Sequence, residues 1–438
     1  MSVDAWVQLD QRGGETAIAR HDQCQARAAR GNVNIAFVQS LIGKRMTRIP
    51  VARRIALALW LQSVAFAACA QDACLDRAVA AIDIKSTAGQ MVVSTLAPDG
   101  RRDTRVLAGL DAGPLLDGNE GFRIASITKT YVAATALRLV EEGKLDLKAP
   151  ITRYLPAAWT DLLAKDGYKP QQITVRHLLS HTSGLNDHAQ APQFIATIKA
   201  DPATRWTRAV DVERLVQWTD PVGTPGEKYA YSDTGYVLLG AIIEQVSGKD
   251  LARAVRDNLG LDRLGLPGTY WERLEPARGR ERAHQFFEGI DTYHWDPSMD
   301  LFGGGGLVAT PQDLTVFFDA LLEGRVFERK DTLALMQSSS GLPAGSPYRL
   351  GLLTYDFHGV PAVGHSGFWG TLVVREPGSG YTIAGAVTHR EAFAQLEDLV
   401  DRYVQSVGKA GPGGTGPAGG GDGGLEGPGR AAGPGRPG

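Results

Sequence analysis

Three β-patterned stretches, "YRLGLLTYDF", "TLVVREP" and "YTIAGAVTH", follow one another within residues 348–389. They are short and rich in β-branched and aromatic residues, and the turn sequence "PGSG" (377–380) separates the last two. Strands joined by so short a turn pair antiparallel, because a parallel pair needs a crossover of a dozen or more residues. Strand patterning also occupies residues 79–110, with "GQMVVSTL" and a turn at Pro98, Asp99 and Gly100. Between these regions the periodicity is helical: residues 126–142, 173–185, 208–219, 233–247 and 310–324 read as helices. Gly143, Gly248 and Gly324 supply stops, and Pro311 suits a first turn. The helix from Ser126 has a face of small residues, which predicts close packing on more than one side. A last helix is expected over 391–407. The order strands, helices, strands, helix predicts an α+β fold: an antiparallel sheet flanked by helices, with an inserted, mostly helical domain.

This domain, expected over 75–407, lies between segments of different character. Residues 408–438 hold 15 Gly and 5 Pro without a three-residue period. Such a tail buries too little apolar surface to offset its ordering entropy and reads as disordered. At the other end, "MTRIPVARRIALALWLQSVAFAACAQDAC" begins at Met46. Arg48, Arg53 and Arg54 precede an apolar run from Ile55 to Ala68 and then small residues, the layout of a secretory signal over 46–70. The run falls short of the roughly 20 residues of a spanning helix, so no stable membrane span is expected. A secreted, periplasmic or cell-envelope location follows. Phe66 is bulky where lipidation sites prefer an aliphatic residue, which disfavours lipidation at Cys69. Residues 1–45 show no sustained periodicity, and Met46 is the expected start.

Residues 1–70 hold nine Lys/Arg against four Asp/Glu, and the remainder 37 against 44. A mildly acidic body without a basic stripe argues against nucleic-acid binding. Three cysteines fit neither a disulfide framework nor a zinc motif, and Cys74 alone would remain in the mature domain. His177 and His181 stand at i, i+4, but Leu178 occupies the place where a zinc-protease helix needs Glu. "GGGG" (303–306) lacks the Lys-Ser/Thr of a phosphate loop and reads as a close backbone approach. The aromatic stretch "YHWDPSMDLF" (293–302) reads equally well as a cleft wall or as an ordinary loop. The expected cofactor and metal content is none.

Ser126 alone reads as a helix cap. Lys129, one turn on, shares its face. A serine hydroxyl needs a base to become a nucleophile, and a buried lysine can serve. Tyr231, Ser232 and Asp233 precede an apolar helix. His365, Ser366 and Gly367 precede a hydrophobic strand. Each signal is weak alone. Together they reproduce, in order and context, the motif set of β-lactamases and penicillin-binding proteins.

Over residues 79–405 the chain resembles the serine β-lactamase/DD-peptidase superfamily. It looks closest to class C β-lactamases, D-alanyl-D-alanine carboxypeptidases and related esterases, and "ITVRHLLSHTSGL", "GGGGLVATPQDLTVFFDALLEG" and "GHSGFWG" share that likeness. The resemblance implies Ser126 as nucleophile, Lys129 as its activator, and Tyr231 as general base or as acid toward the leaving group. It implies His365, Ser366 and Gly367 along the substrate, and the amides of Ser126 and Phe368 as an oxyanion hole. The substrate would be a small molecule or peptide: a β-lactam, a D-amino-acid peptide or an ester. Relatives carry Asn where this chain has Asp233, and ionised Asp can only accept hydrogen bonds. Asp233 is therefore expected to pair with Lys129, to shift the role of base toward Tyr231, and to favour esters or substrates with a free amine. His365 stands where many relatives have Lys, so carboxylate recognition there would depend on pH unless a neutral imidazole does the work. The competing reading is a catalytically silent interaction protein; intact Ser126, Lys129 and Tyr231 argue against it.

Overall fold

Among the described residues, the first and last strands meet inside one six-stranded sheet. β1 (Gln90–Leu96) pairs with β11 (Thr382–Val387) on one side and with β2 (Arg102–Ala108) on the other. β10 (Thr371–Arg375), β9 (Val360–Gly367) and β8 (Leu353–Phe357) complete the order β2-β1-β11-β10-β9-β8, and its strand pairs are antiparallel. The α+β architecture with a helical insertion is thus the fold. The computed structural model describes residues 73–410. The expected signal (46–70), the extension before it and residues 411–438 of the tail lie outside the described residues.

The helices are α1 (73–80), α2 (Thr128–Glu141), α3 (Ala157–Lys165), α4 (Val175–Leu179), α5 (Pro192–Ala200), α6 (Arg208–Trp218), α7 (Asp233–Ser247), α8 (Leu251–Leu259), α9 (Pro311–Leu322), α10 (Lys330–Gln337) and α11 (Phe393–Ala410). Alternation along β10 divides the core. Leu372 and Val374 face a layer built from Leu75, Ala78, Leu396 and Val400 of α1 and α11. Val373 faces the opposite way, into the core shared with α2, α7 and α9. α2 is buried all round from Thr128 to Leu137, as its small side chains predict.

Two expectations are corrected. Residues 79–89 are not strand: α1 ends at 80, and Ile84–Ser86 form a 3-10 turn. Leu75, Ala78 and Ile82 recur at helical spacing and bury against the sheet. The tail also begins later than 408, because Gly408 lets α11 pass closely over Val360.

A second, three-stranded sheet matters for the site. β3 (Phe122–Arg123) and β4 (Tyr270–Trp271) flank β7 (Leu307–Ala309), while β5 (Phe286–Phe287) and β6 (Ile290–Asp291) pair as a separate two-stranded sheet. It ties the turn before Ser126 to the end of the glycine run 303–306.

Candidate active site

Ser126 lies in a 3-10 turn, Ala125–Ile127, between β3 and α2. It does not cap the helix. Ile127 holds the position before α2 and makes no side-chain capping bond. Ala125 takes a left-handed φ of 43°, which is uncommon for a residue with a Cβ and is often found at functional sites. That kink turns Ser126 toward Lys129, whose Nζ donates to Ser126 Oγ at 2.8 Å.

The Lys129 side chain is 0% exposed. Its Nζ also donates to the Gly304 carbonyl at 2.6 Å and forms an ion pair with Asp233. Two hydrogen bonds and a carboxylate partner thus compensate the burial of the lysine. The glycine run makes the second contact available. A Cβ at Gly303 would overlap the Tyr236 carbonyl, one at Gly305 the Asp300 carboxylate, and one at Gly306 the Trp271 indole. The run is a close backbone approach whose carbonyl holds the lysine.

Tyr231 interacts through its hydroxyl with Ser126, and Lys129 Nζ sits 5.0 Å from its ring centroid. The side chain keeps some solvent contact, yet its crowded surroundings and then the Asp233 charge push its pKa well above 10. Tyr231 is a neutral phenol at ordinary pH. Asp233 opens α7 after Ser232, whose Oγ caps the helix by accepting from Gly235 N at 3.1 Å. Nearby carboxyls feel the Asp233 charge. Burial and then Asp233 raise Asp187 and Asp300 to about 7.

His365, Ser366 and Gly367 do not merely precede a strand; they end β9, itself paired with β10. His365 stands opposite Val373 and shares its face toward the helices, whereas Ser366 stands opposite Leu372, on the face under α11. His365 is 1% exposed. Its Nδ1 lies 2.7 Å from the Ser366 carbonyl and therefore carries the hydrogen, which leaves Nε2 to accept from Tyr348 Oη at 2.9 Å. Burial and then the Lys129 charge lower its pKa to about 3. Of the two readings of His365, this hydrogen bonding favours the neutral imidazole over the pH-dependent cation. Gly367 is where the sheet touches the Ser126 turn, since a Cβ there would overlap the Ile124 carbonyl and Thr371 Oγ1. Phe368 follows on the surface, and the amides of Ser126 and Phe368 donate to no other described residue.

The Beta-lactamase family profile matches residues 80–408. The chain belongs to the Beta-lactamase family. Penicillin-binding protein 4 of Amycolatopsis lactamdurans is 28% identical over 299 residues, covering 64% of this chain and 74% of that one. Esterase EstB of Burkholderia gladioli is 34% identical over 183 residues, 40% of this chain and 45% of that one. Two penicillin-binding relatives from Bacillus subtilis match over 56% and 65% of their lengths, so the chain spans about half to two thirds of them. Among solved structures, a D-stereospecific amidohydrolase from Streptomyces sp. is 26% identical, with a TM-score of 0.62 over 80% of this chain and 99% of that one. The relatives are thus named for penicillin binding and for ester and amide hydrolysis.

Within this Beta-lactamase-family chain the structure brings Ser126, Lys129, Tyr231 and Asp233 together. It brings Gly367 against them and turns His365 inward. His177 closes a capping box on α4 with Thr174 instead of facing a metal. Among the described residues no group of three His, Cys, Asp or Glu could hold a metal ion, and no helix is long and apolar enough to cross a membrane. Cys74 is buried and free, with Arg77 Nη2 donating to its sulfur at 3.3 Å. The sequence reading missed Tyr348, the partner of His365, because nothing in its spacing marks it.

Proposed function

We propose that the protein is an exported serine hydrolase that cleaves an amide or ester through an acyl-enzyme on Ser126. The observation that carries this reading is the 2.8 Å Lys129–Ser126 hydrogen bond, made by a fully buried lysine beside the Tyr231 hydroxyl. Lys129 already donates to Ser126 and to the Gly304 carbonyl and is ion-paired with Asp233, so it acts as the electrostatic partner of Ser126. Tyr231 acts as a relay. As Ser126 Oγ bonds to the acyl carbon, its proton passes to Tyr231, which gives its own proton to the departing amine or alcohol. Water then attacks the acyl carbon and the relay runs backward, restoring Ser126. No free phenolate is required, which suits a phenol held well above 10. The Ser126 and Phe368 amides are proposed as the oxyanion donors. Export rests on the signal-like segment 46–70 and places the enzyme in the cell envelope or outside the cell.

The test is a substrate panel: nitrocefin, a D-Ala-D-Ala peptide, a D-amino-acid amide and a short-chain ester, each compared with Ser126→Ala. Turnover of at least one substrate, lost in Ser126→Ala together with fluorophosphonate labelling, is expected. A wild-type protein that neither labels nor turns over any of the four is a silent member of the fold.

A further inference from the structure

His181 lies just after α4, outside the groups assigned to the chemistry, and is 1% exposed. We infer that His181 is the positioning residue for Tyr231: it holds the Tyr231–Asp233 turn at the angle from which Tyr231 reaches Ser126. The inference rests on the Ser126 reading.

Three contacts converge on that turn. The His181 carbonyl accepts from Ala230 N at 2.8 Å, and Nδ1 accepts from Ser232 N at 3.1 Å. The residue between those amides is Tyr231, and its ring lies on the imidazole with centroids 4.1 Å apart. His181 therefore grips the backbone on both sides of Tyr231 and supports its ring. The grip needs an unusual backbone, since His181 has a left-handed φ of 54°. It also needs one tautomer. Because Nδ1 accepts, the hydrogen of the neutral ring sits on Nε2, which is buried and has no hydrogen-bond partner. Tyr348 and Tyr236 close that side, with ring centroids 4.4 Å and 5.0 Å away. An unpaired buried donor is unfavourable for stability, and a hydrophobic residue would avoid it. What a hydrophobic residue could not supply is the acceptor for Ser232 N.

The acceptor's position makes the inference testable. Asn carries its oxygen close to the place of Nδ1 and tolerates a left-handed backbone. Gln carries its oxygen one carbon further out. His181→Asn is expected to keep kcat within about threefold of wild type on the best substrate of the panel. His181→Gln and His181→Leu are expected to lower kcat about 100-fold with KM within about threefold, as misplacement of a catalytic group does. In a Tyr231→Phe background, His181→Gln should cost less than about threefold more, because His181 acts through the missing hydroxyl. Equal losses in Asn and Gln, or a full multiplicative loss in the double variant, would overturn the assignment. If Leu does not fold, the Asn–Gln contrast still decides. Wild type without Ser126-dependent labelling would instead refute the Ser126 reading.

Discussion

The two walls of the site use the same kind of motif differently. On the helical side, the first turns of α2 and α7 and the segments just before them deliver side chains: Ser126, Lys129, Tyr231 and Asp233 come together. On the sheet side, β9 brings its backbone. Gly367 contributes by having no side chain, Ser366 faces away under α11, and His365 is locked neutral against Tyr348. The two motif stretches thus differ in what they bring to the site, side chains on one wall and close-packed backbone on the other.

The largest expected effect breaks the helical wall. Ser126→Ala should lower kcat/KM by about 10^3-fold or more while leaving stability near wild type. Lys129→Ala should lose as much activity and also about 3 kcal/mol of stability in urea denaturation, because it strands the Asp233 carboxylate. If Lys129→Ala unfolds as wild type does, the Lys129–Asp233 ion pair does not stabilise the fold.

The next effect probes whether the sheet wall acts through backbone alone. Gly367→Ala should lower kcat about 100-fold and lower Tm, because its Cβ displaces the Ile124 carbonyl and with it Ser126. Ser366→Ala should stay within about threefold. Equal losses in the two would mean that Ser366 touches substrate.

Asp233 sharpens the comparison from the helical side. Asp233→Asn supplies a donor that an ionised Asp233 lacks, and one added hydrogen bond corresponds to about tenfold. The ratio of nitrocefin acylation to ester turnover should rise by about that factor. An unchanged ratio would show that Asp233 does not set acyl preference.

The helical wall was legible in the sequence because its spacing is local. Ser126 and Lys129 are one turn apart, and Asp233 sits at a helix start with an apolar face behind it. The antiparallel sheet was legible from period-two strands and the turn at 377–380. The orientation of His365 was not. It depends on which face of β9 meets the helices and on Tyr348, which approaches from another segment. The Gly304 carbonyl was equally hidden, since a backbone acceptor leaves no residue-type signature. His181 sits in a recognisable stretch, yet its role depends on a left-handed φ that the residue type does not announce.

The smallest expected effect on turnover is that of His365, which acts on the pH dependence of stability instead. Its folded pKa of about 3 lies below the ordinary 6.5, so between those values the unfolded chain binds a proton that the folded chain refuses. Stability from this group is therefore intact above about pH 6.5 and is lost as pH falls toward 3, with a slope of up to about 1.4 kcal/mol per pH unit. Asp187 and Asp300 work in the opposite direction, since their folded pKa near 7 favours the folded state at low pH and costs stability as pH rises toward 7. The absolute slope mixes these terms, so the informative quantity is a difference between variants. His365→Gln keeps a polar group beside Tyr348 and removes the titration. Its stability should fall less steeply than wild type from pH 6.5 to 4, measured by urea denaturation at each pH. Between pH 6.5 and 8 the two stability curves should run parallel, and His365→Gln should leave the shape of the kcat/KM profile unchanged from pH 5 to 8. A limb of that profile near pH 6 that disappears in His365→Gln would place a charged imidazole in the site and reverse the assignment of the sheet wall to shape.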